Sequence, residues 1–268
     1  MGKILAVICL VCSVCLTKAA LTLTGTSYTQ NFDSIGSGLP DSWGVYSSAS
    51  SSSLGSAATF NIPMSTWIQS GEIASGGFWN VASADGLISG SGDTAQNNSP
   101  DRAIGFRQVT TGGLDPGAAV VLNVQNTAGL GNFALSVTIQ LLANNGKSTD
   151  LVLDYRIGDV GSFTTLTTYT DPNAFGSTTV NFNSAQLSAW NDQSSDIWFR
   201  IAAVNASTGS SGSSRDTFGI DDFSLTYSAV PEPPEWGAIS ALGLIGICGL
   251  REWRQRRCGE NLKSCPGK

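Results

Sequence analysis

The chain has 268 residues and no histidine. That removes Ser-His-Asp and Cys-His nucleophile systems, His-Glu-x-x-His zinc peptidases and histidine-ligated zinc in one stroke. What remains for chemistry is carboxylate. Asp221 and Asp222 form an adjacent pair in Gly219-Ile220-Asp221-Asp222-Phe223. Phe223, Leu225 and Tyr227 alternate along this segment, and Asp221 lies in the same phase. A charged, unpaired carboxylate on the core face of a strand costs several kcal/mol. Two resolutions follow. A bulge turns Asp221 outward, or backbone amides, Arg200, Arg215 or a calcium ion shared with Asp33 and Asp216 satisfy it; calcium favours such oxygen clusters. Structural calcium at Asp33, Asp216, Asp221 and Asp222 is therefore the metal expectation, and no other cofactor is expected.

A second acidic stretch, Asp85 to Arg102, holds Asp93, Asn97, Asn98 and Asp101 without the spacing of an EF-hand, and reads as a solvated loop. Glycosidases need two carboxylates about 5–10 Å apart. Glu72 is the single glutamate between Leu21 and Ala229, and Gly-x-Ser-x-Gly, Walker and dinucleotide motifs are missing. The expectation is a protein that is not an enzyme. Sugar binding needs exposed aromatic rings; Trp67, Phe78, Trp79 and Trp190 fall near expected loops, and Trp198 is out of phase with the apolar residues of its strand.

The elements that must position these residues are strands. Phe133, Leu135, Val137, Ile139 and Leu141 alternate with Ala134, Ser136, Thr138 and Gln140, the period of a half-covered strand. Leu151, Leu153, Tyr155 and Ile157 repeat it with Asp154 and Arg156 facing out, as do Ile197, Phe199, Ile201 and Ala203 with Arg200 opposite. Shorter strands are expected at 28–32, 43–46, 59–62, 104–109, 120–124, 164–169, 178–182 and 218–227. Asn144-Asn145-Gly146, Asp115-Pro116-Gly117 and Asp171-Pro172-Asn173 supply turns. One or two helical turns near 184–190 complete the list. About ten short strands without an internal repeat predict an all-β fold, a two-sheet antiparallel β-sandwich. Phe32-Asp33 with Pro40 and Trp43, then Phe199-Arg200-Ile201 and Gly219-Ile220-Asp221-Asp222-Phe223, resemble the jelly-roll domains grouped as galactose-binding-like or concanavalin-like. That resemblance implies a jelly-roll sandwich and points to carbohydrate.

The region 21–229 carries sixteen Asp or Glu against six Lys or Arg and no cysteine. A balance of −10 opposes nucleic acid, whose binding needs cations on phosphates. A disulfide-free exported domain must rest on its core and hydrogen bonds.

Both ends are hydrophobic. Lys3, the apolar run 4–16 and the small residues Ala19 and Ala20 predict a signal peptide over 1–20, cleaved after one of those alanines. At the other end Val230, Pro231, Glu232 and Pro233 precede an apolar run, 236–250, that includes Trp236, Leu242, Leu244, Ile245 and Leu250. Arg251, Arg254, Arg256 and Arg257 follow it. Fifteen helical residues span about 22 Å, short of a hydrocarbon core of about 30 Å, and reach about 27 Å if the helix continues to Trp253. The arginines should stay cytoplasmic. An ordinary membrane anchor has this outline too. The order of proline-glutamate-proline motif, short apolar span and arginine cluster resembles the PEP-CTERM sorting signal over 230–257, with residues 258–268 as an extension. The resemblance implies an exosortase-type membrane protease as partner and export to the cell surface or extracellular matrix. The expectation is then a surface or matrix protein of structural or adhesive type. The alternatives are a carbohydrate-binding module acting on exopolysaccharide and a secreted glycan hydrolase.

Overall fold

A computed structural model of the chain describes residues 19–68, 71–210 and 214–230. The expected signal peptide up to residue 18, and the sorting motif from Pro231 with the anchor and arginine cluster, lie outside the described residues. The described residues from 19 to 229 belong to one compact unit. Among the described residues sixteen strands run in chain order: β1 (Ser27–Gln30), β2 (Trp43–Ser47), β3 (Ser56–Ala57), β4 (Phe60–Ser65), β5 (Gly77–Ala82), β6 (Arg102–Arg107), β7 (Ala119–Val124) and β8 (Leu130–Ala143). Then come β9 (Gly146–Ser148), β10 (Leu151–Ile157), β11 (Thr164–Tyr169), β12 (Gly176–Phe182), β13 (Ile197–Ala202), β14 (Thr208–Gly209), β15 (Ser214–Arg215) and β16 (Thr217–Ala229). One short helix, α1 (Asp93–Asn98), sits between β5 and β6.

A seven-stranded sheet has the order β12-β8-β16-β6-β5-β4, with β1 added to β16; a six-stranded sheet has the order β11-β10-β13-β7-β2-β3. One core joins them. Val137 and Ile139 of β8, Ile220 and Leu225 of β16, and Phe106 of β6 meet Val120 and Leu122 of β7, Leu153 of β10 and Phe199 of β13 in a single buried cluster. The alternation in 133–141 and 151–155 is the inward set of these two sheets, so the sandwich follows directly from period-two burial.

Three features depart from the expected antiparallel pair of sheets. A third, three-stranded sheet has the order β14-β9-β15. β4 pairs with β5 and β15 with β9 in parallel, so the fold is not wholly antiparallel. β5 falls outside the expected strands because it is covered on both faces: Phe78 enters the main core, while Val81 and Ala82 join a second cluster with Trp67, Ile73 and Leu142. A strand buried on both sides shows no alternation. The stretch 85–102, expected as loop, contains α1. It has no apolar period, and it is held by the buried Gln96, whose Oε1 accepts from Trp67 N at 2.9 Å and whose Nε2 donates to Ser91 O at 2.7 Å. The helical turn expected near 184–190 is the 3-10 turn Ser188–Trp190. Among the described residues no helix is long and apolar enough to cross a membrane.

Candidate functional site

The Asp221-Asp222 pair sits on a bulge. Ile220 pairs with Ile139 and Asp221 with Thr138, but Ser224 pairs with Ser136, so two residues of β16 oppose one of β8. Asp222 takes φ 43, the left-handed conformation that Asp tolerates better than most residues. The extra residue shifts the phase. Asp221 faces outward with Thr138 while Phe223, Leu225 and Tyr227 face the core. Both resolutions open in the sequence are used: the bulge turns Asp221 off the core face, and a backbone amide meets its carboxyl there.

Outward here still means covered. Asp221 is 1% exposed, beneath the segment carrying Ser83 and Ala84. Its Oδ1 accepts from Asp222 N at 2.8 Å and its Oδ2 from Gln140 Nε2 at 3.4 Å; Gln140 also bonds Ser83 and Ala84. Burial pushes its carboxyl up to about 7. Neither Arg200 nor Arg215 reaches it. Arg200 pairs with Asp154 at 2.6 Å and Arg215 with Asp115 at 2.6 Å.

The four aspartates expected to share calcium do not gather. Asp216 stands five residues before Asp221, about 16 Å along an extended chain. There Asp216 accepts from Asn145 N, and its carboxyl is raised by burial and by the facing Asp171 carboxyl. At the other end Asp222 is raised by burial and by Asp85 and Asp33; Asp101 is raised by burial, Asp33, Asp85 and Asp222. Asp33 is engaged by Arg102 N at 3.1 Å and Asn31 Nδ2 at 2.5 Å. Among the described residues no three Asp, Glu, His or Cys side chains form a metal-holding group.

The aromatics divide sharply. Trp67, Phe78 and Trp190 are core residues, each at most 1% exposed, which removes them as ligand platforms. Trp79 ties its Nε1 to Gly76 O at 3.0 Å. Trp198 is on the outer face of the six-stranded sheet, where its phase put it. Opposite it on β7 is Asn123, and two positions along is the pair Val121–Arg200. Gly44 of β2 lies opposite Val121. A Cβ on Gly44 would stand 3.0 Å from Tyr46 Cε2, so the phenol ring rests over the glycine.

These residues make a groove of about 530 Å³. It is lined by Trp198, Val121 and Asn123 of β13 and β7, Gly44 and Tyr46 of β2, Leu39 just before β2, and Phe60 and Ile62 of β4. No Asp, Glu, Lys or Arg lines it. Its size and apolar walls with a few polar groups fit a ligand site. Trp198 Nε1 donates to Asp159 Oδ1 at 3.1 Å, and Asn123 Nδ2 to Asp196 Oδ2 at 3.2 Å. That leaves Asn123 Oδ1 as a buried acceptor with no hydrogen-bond partner among the described residues.

Beyond Trp198 the same face is closed. Arg200, fully buried, places Nε and Nη2 on Asp154 at 2.6 and 2.9 Å and Nη1 on Ser53 O at 2.8 Å. The Phe163 ring covers its guanidinium at 3.5 Å, and Arg156 lies over the same ring at 4.7 Å. Asp154, Arg156 and Arg200, expected to face out, do leave the core but are shielded from water by this second layer. Among the described residues, the groove lies on the part of this face that Arg200, Asp154 and Phe163 do not cover. Tyr46, Gly44 and Phe60 were not singled out in the sequence. The available signal was the phase of Trp43-Gly44-Val45-Tyr46, which sends Trp43 and Val45 inward and leaves glycine and tyrosine on the other side.

No family model matches the chain, and no curated protein matches it in sequence. Solved structures that resemble it include a xylan-binding module, CBM15, at 13% identity over 77% of this chain and 100% of that one, TM-score 0.40. The K3 cleaved adhesin domain of Lys-gingipain from Porphyromonas gingivalis matches at 13% identity over 74% of this chain and 98% of that one, TM-score 0.39. Xylanase10C from Cellvibrio japonicus, in complex with xylopentaose, matches at 13% identity and TM-score 0.37; 70% of this chain corresponds to 27% of the xylanase. Likeness at this level says nothing about the groove, whose function has to come from its own chemistry.

Proposed function

We propose that this chain is an exported, non-catalytic glycan-binding protein, sorted to the cell surface or extracellular matrix through its C-terminal tail. The observation that carries the binding function is the groove: the rings of Phe60, Tyr46 and Trp198 and the Asn123 amide in a lining with no charged side chain. Pyranose rings present apolar C–H faces to aromatic rings and hydroxyls to amides, and this lining offers both. Acid–base chemistry on a glycosidic bond needs paired carboxylates. The groove has none, which favours retention over turnover.

The test is affinity electrophoresis of the 21–229 domain through gels containing neutral polysaccharides. Retardation is expected, and Trp198→Ala or Tyr46→Ala should weaken it about three- to tenfold, the worth of one ring contact. Equal mobility with and without every glycan would overturn the assignment. The sorting half rests on the order of Val230, Pro231, Glu232, Pro233, the apolar run 236–250 and the four arginines. Replacing Pro231, Glu232 and Pro233 together should leave the tail attached in the native host, as read by intact mass; unaltered processing would refute it.

A further inference from the structure

We infer that the groove selects glycans that carry no acidic groups, so that uronic-acid and sulfated polysaccharides are excluded; this rests on the glycan-binding function proposed above. Three features point the same way. The first is the lining, which holds no Lys or Arg to pair with a carboxylate or sulfate.

The second is the charge at the rim. The two polar side chains that β13 and β7 give the lining, Trp198 and Asn123, each hold a carboxylate, Asp159 and Asp196. Any anionic ligand bonded at Asn123 would approach Asp196, and one stacked on Trp198 would approach Asp159.

The third is the fate of the cations. Arg200 and Arg156 are on the same face, and Arg200 stands beside Trp198 in the sheet two residues along β13. Both are spent: Arg200 on Asp154 and Ser53 O under the Phe163 ring, Arg156 on Gly158 O at 3.1 Å, with exposures of 0% and 7%. Neither guanidinium is available to a carboxylate in the groove. Against a domain balance of −10, nothing local offsets the repulsion.

The experiment takes whichever neutral glycan the domain retains and compares two derivatives of matched substitution, one hydroxyethylated and one carboxymethylated. They differ little in bulk and by a charge. The hydroxyethyl form should bind, and the carboxymethyl form about tenfold more weakly at low ionic strength, the gap narrowing as salt screens the rim. Asp159→Asn combined with Asp196→Asn should narrow it too, with melting temperature measured to confirm folding. Equal or tighter binding of the carboxymethyl form would overturn the inference and leave glycan binding standing. Loss of both derivatives while the parent glycan binds would show that bulk, not charge, decides, and would also overturn it. No retention of any neutral glycan would instead remove the glycan-binding function itself.

Discussion

Asp154 and Arg200 show how much a single pair of residues carries in this fold. Both are out of water on the outer face of the six-stranded sheet, joined by two charge-assisted bonds and roofed by Phe163. Removing one partner strands a buried charge. Arg200→Met alone should therefore cost roughly 3–5 kcal/mol in urea unfolding, whereas Asp154→Leu with Arg200→Met should come close to neutral. A single variant as costly as the double would contradict this account. At Gly44 the constraint is steric. Gly44→Ala forces the Tyr46 ring to move, because a methyl there would sit 3.0 Å from Cε2. Glycan retention should fall while stability changes little, a combination read by affinity electrophoresis and thermal unfolding on the same sample.

Among the elements, β16 is the one whose local irregularity organises the rest. Its bulge lets one strand present Ile220 and Leu225 to the same core although five residues separate them, and it sends Asp221 under the Ser83 segment. A carboxyl raised to about 7 in the fold, against about 3.9 in an unfolded chain, stabilises the folded state fully below about pH 4. That contribution is lost as pH rises through about 7, because the unfolded chain gives up its proton first. Asp216 contributes with the same sign, since burial and Asp171 raise it as well. Melting temperature should accordingly decline between about pH 4 and pH 7, and Asp221→Asn should flatten part of that slope. A profile that climbs over this range would contradict the assignment. Here the limits of the sequence are plain. Residues 133–141, 151–157 and 197–202 were legible because one face of each is core. β5 was not, since both its faces are covered, and α1 was not, since a buried glutamine rather than an apolar stripe holds it. The phase conflict at Asp221 was visible and left a bulge or a hydrogen-bonded carboxyl open; the fold has both. The groove was half visible, in Trp198, and otherwise hidden, because Phe60 and Ile62 are brought to β2 only by the crossing from β3 to β4.

The molecule as a whole reaches its stability without covalent staples in the region 21–229, which has no cysteine. Reducing agents should leave its melting temperature unchanged, and a drop on adding thiol would point to bonds this fold does not need. The beginning and end of the domain are stitched together: Tyr227 N donates to Thr26 O at 3.0 Å and Tyr227 Oη to Thr24 O at 2.9 Å, while β1 runs beside β16. Leu21 bridges Val124, the last residue of β7, in the other sheet. Both ends of the region 21–229 are therefore secured to interior strands.

That placement of β16 bears on mechanics. Thirteen residues long, it is flanked by β8 along most of its length and by β6 and β1 on its other side. A pull applied at Ala229 runs along the strand axis, so the flanking hydrogen bonds share the load in shear and do not unzip one at a time. A domain hung by this end in a flowing polymer gel would resist extraction best in the direction from which it is tethered.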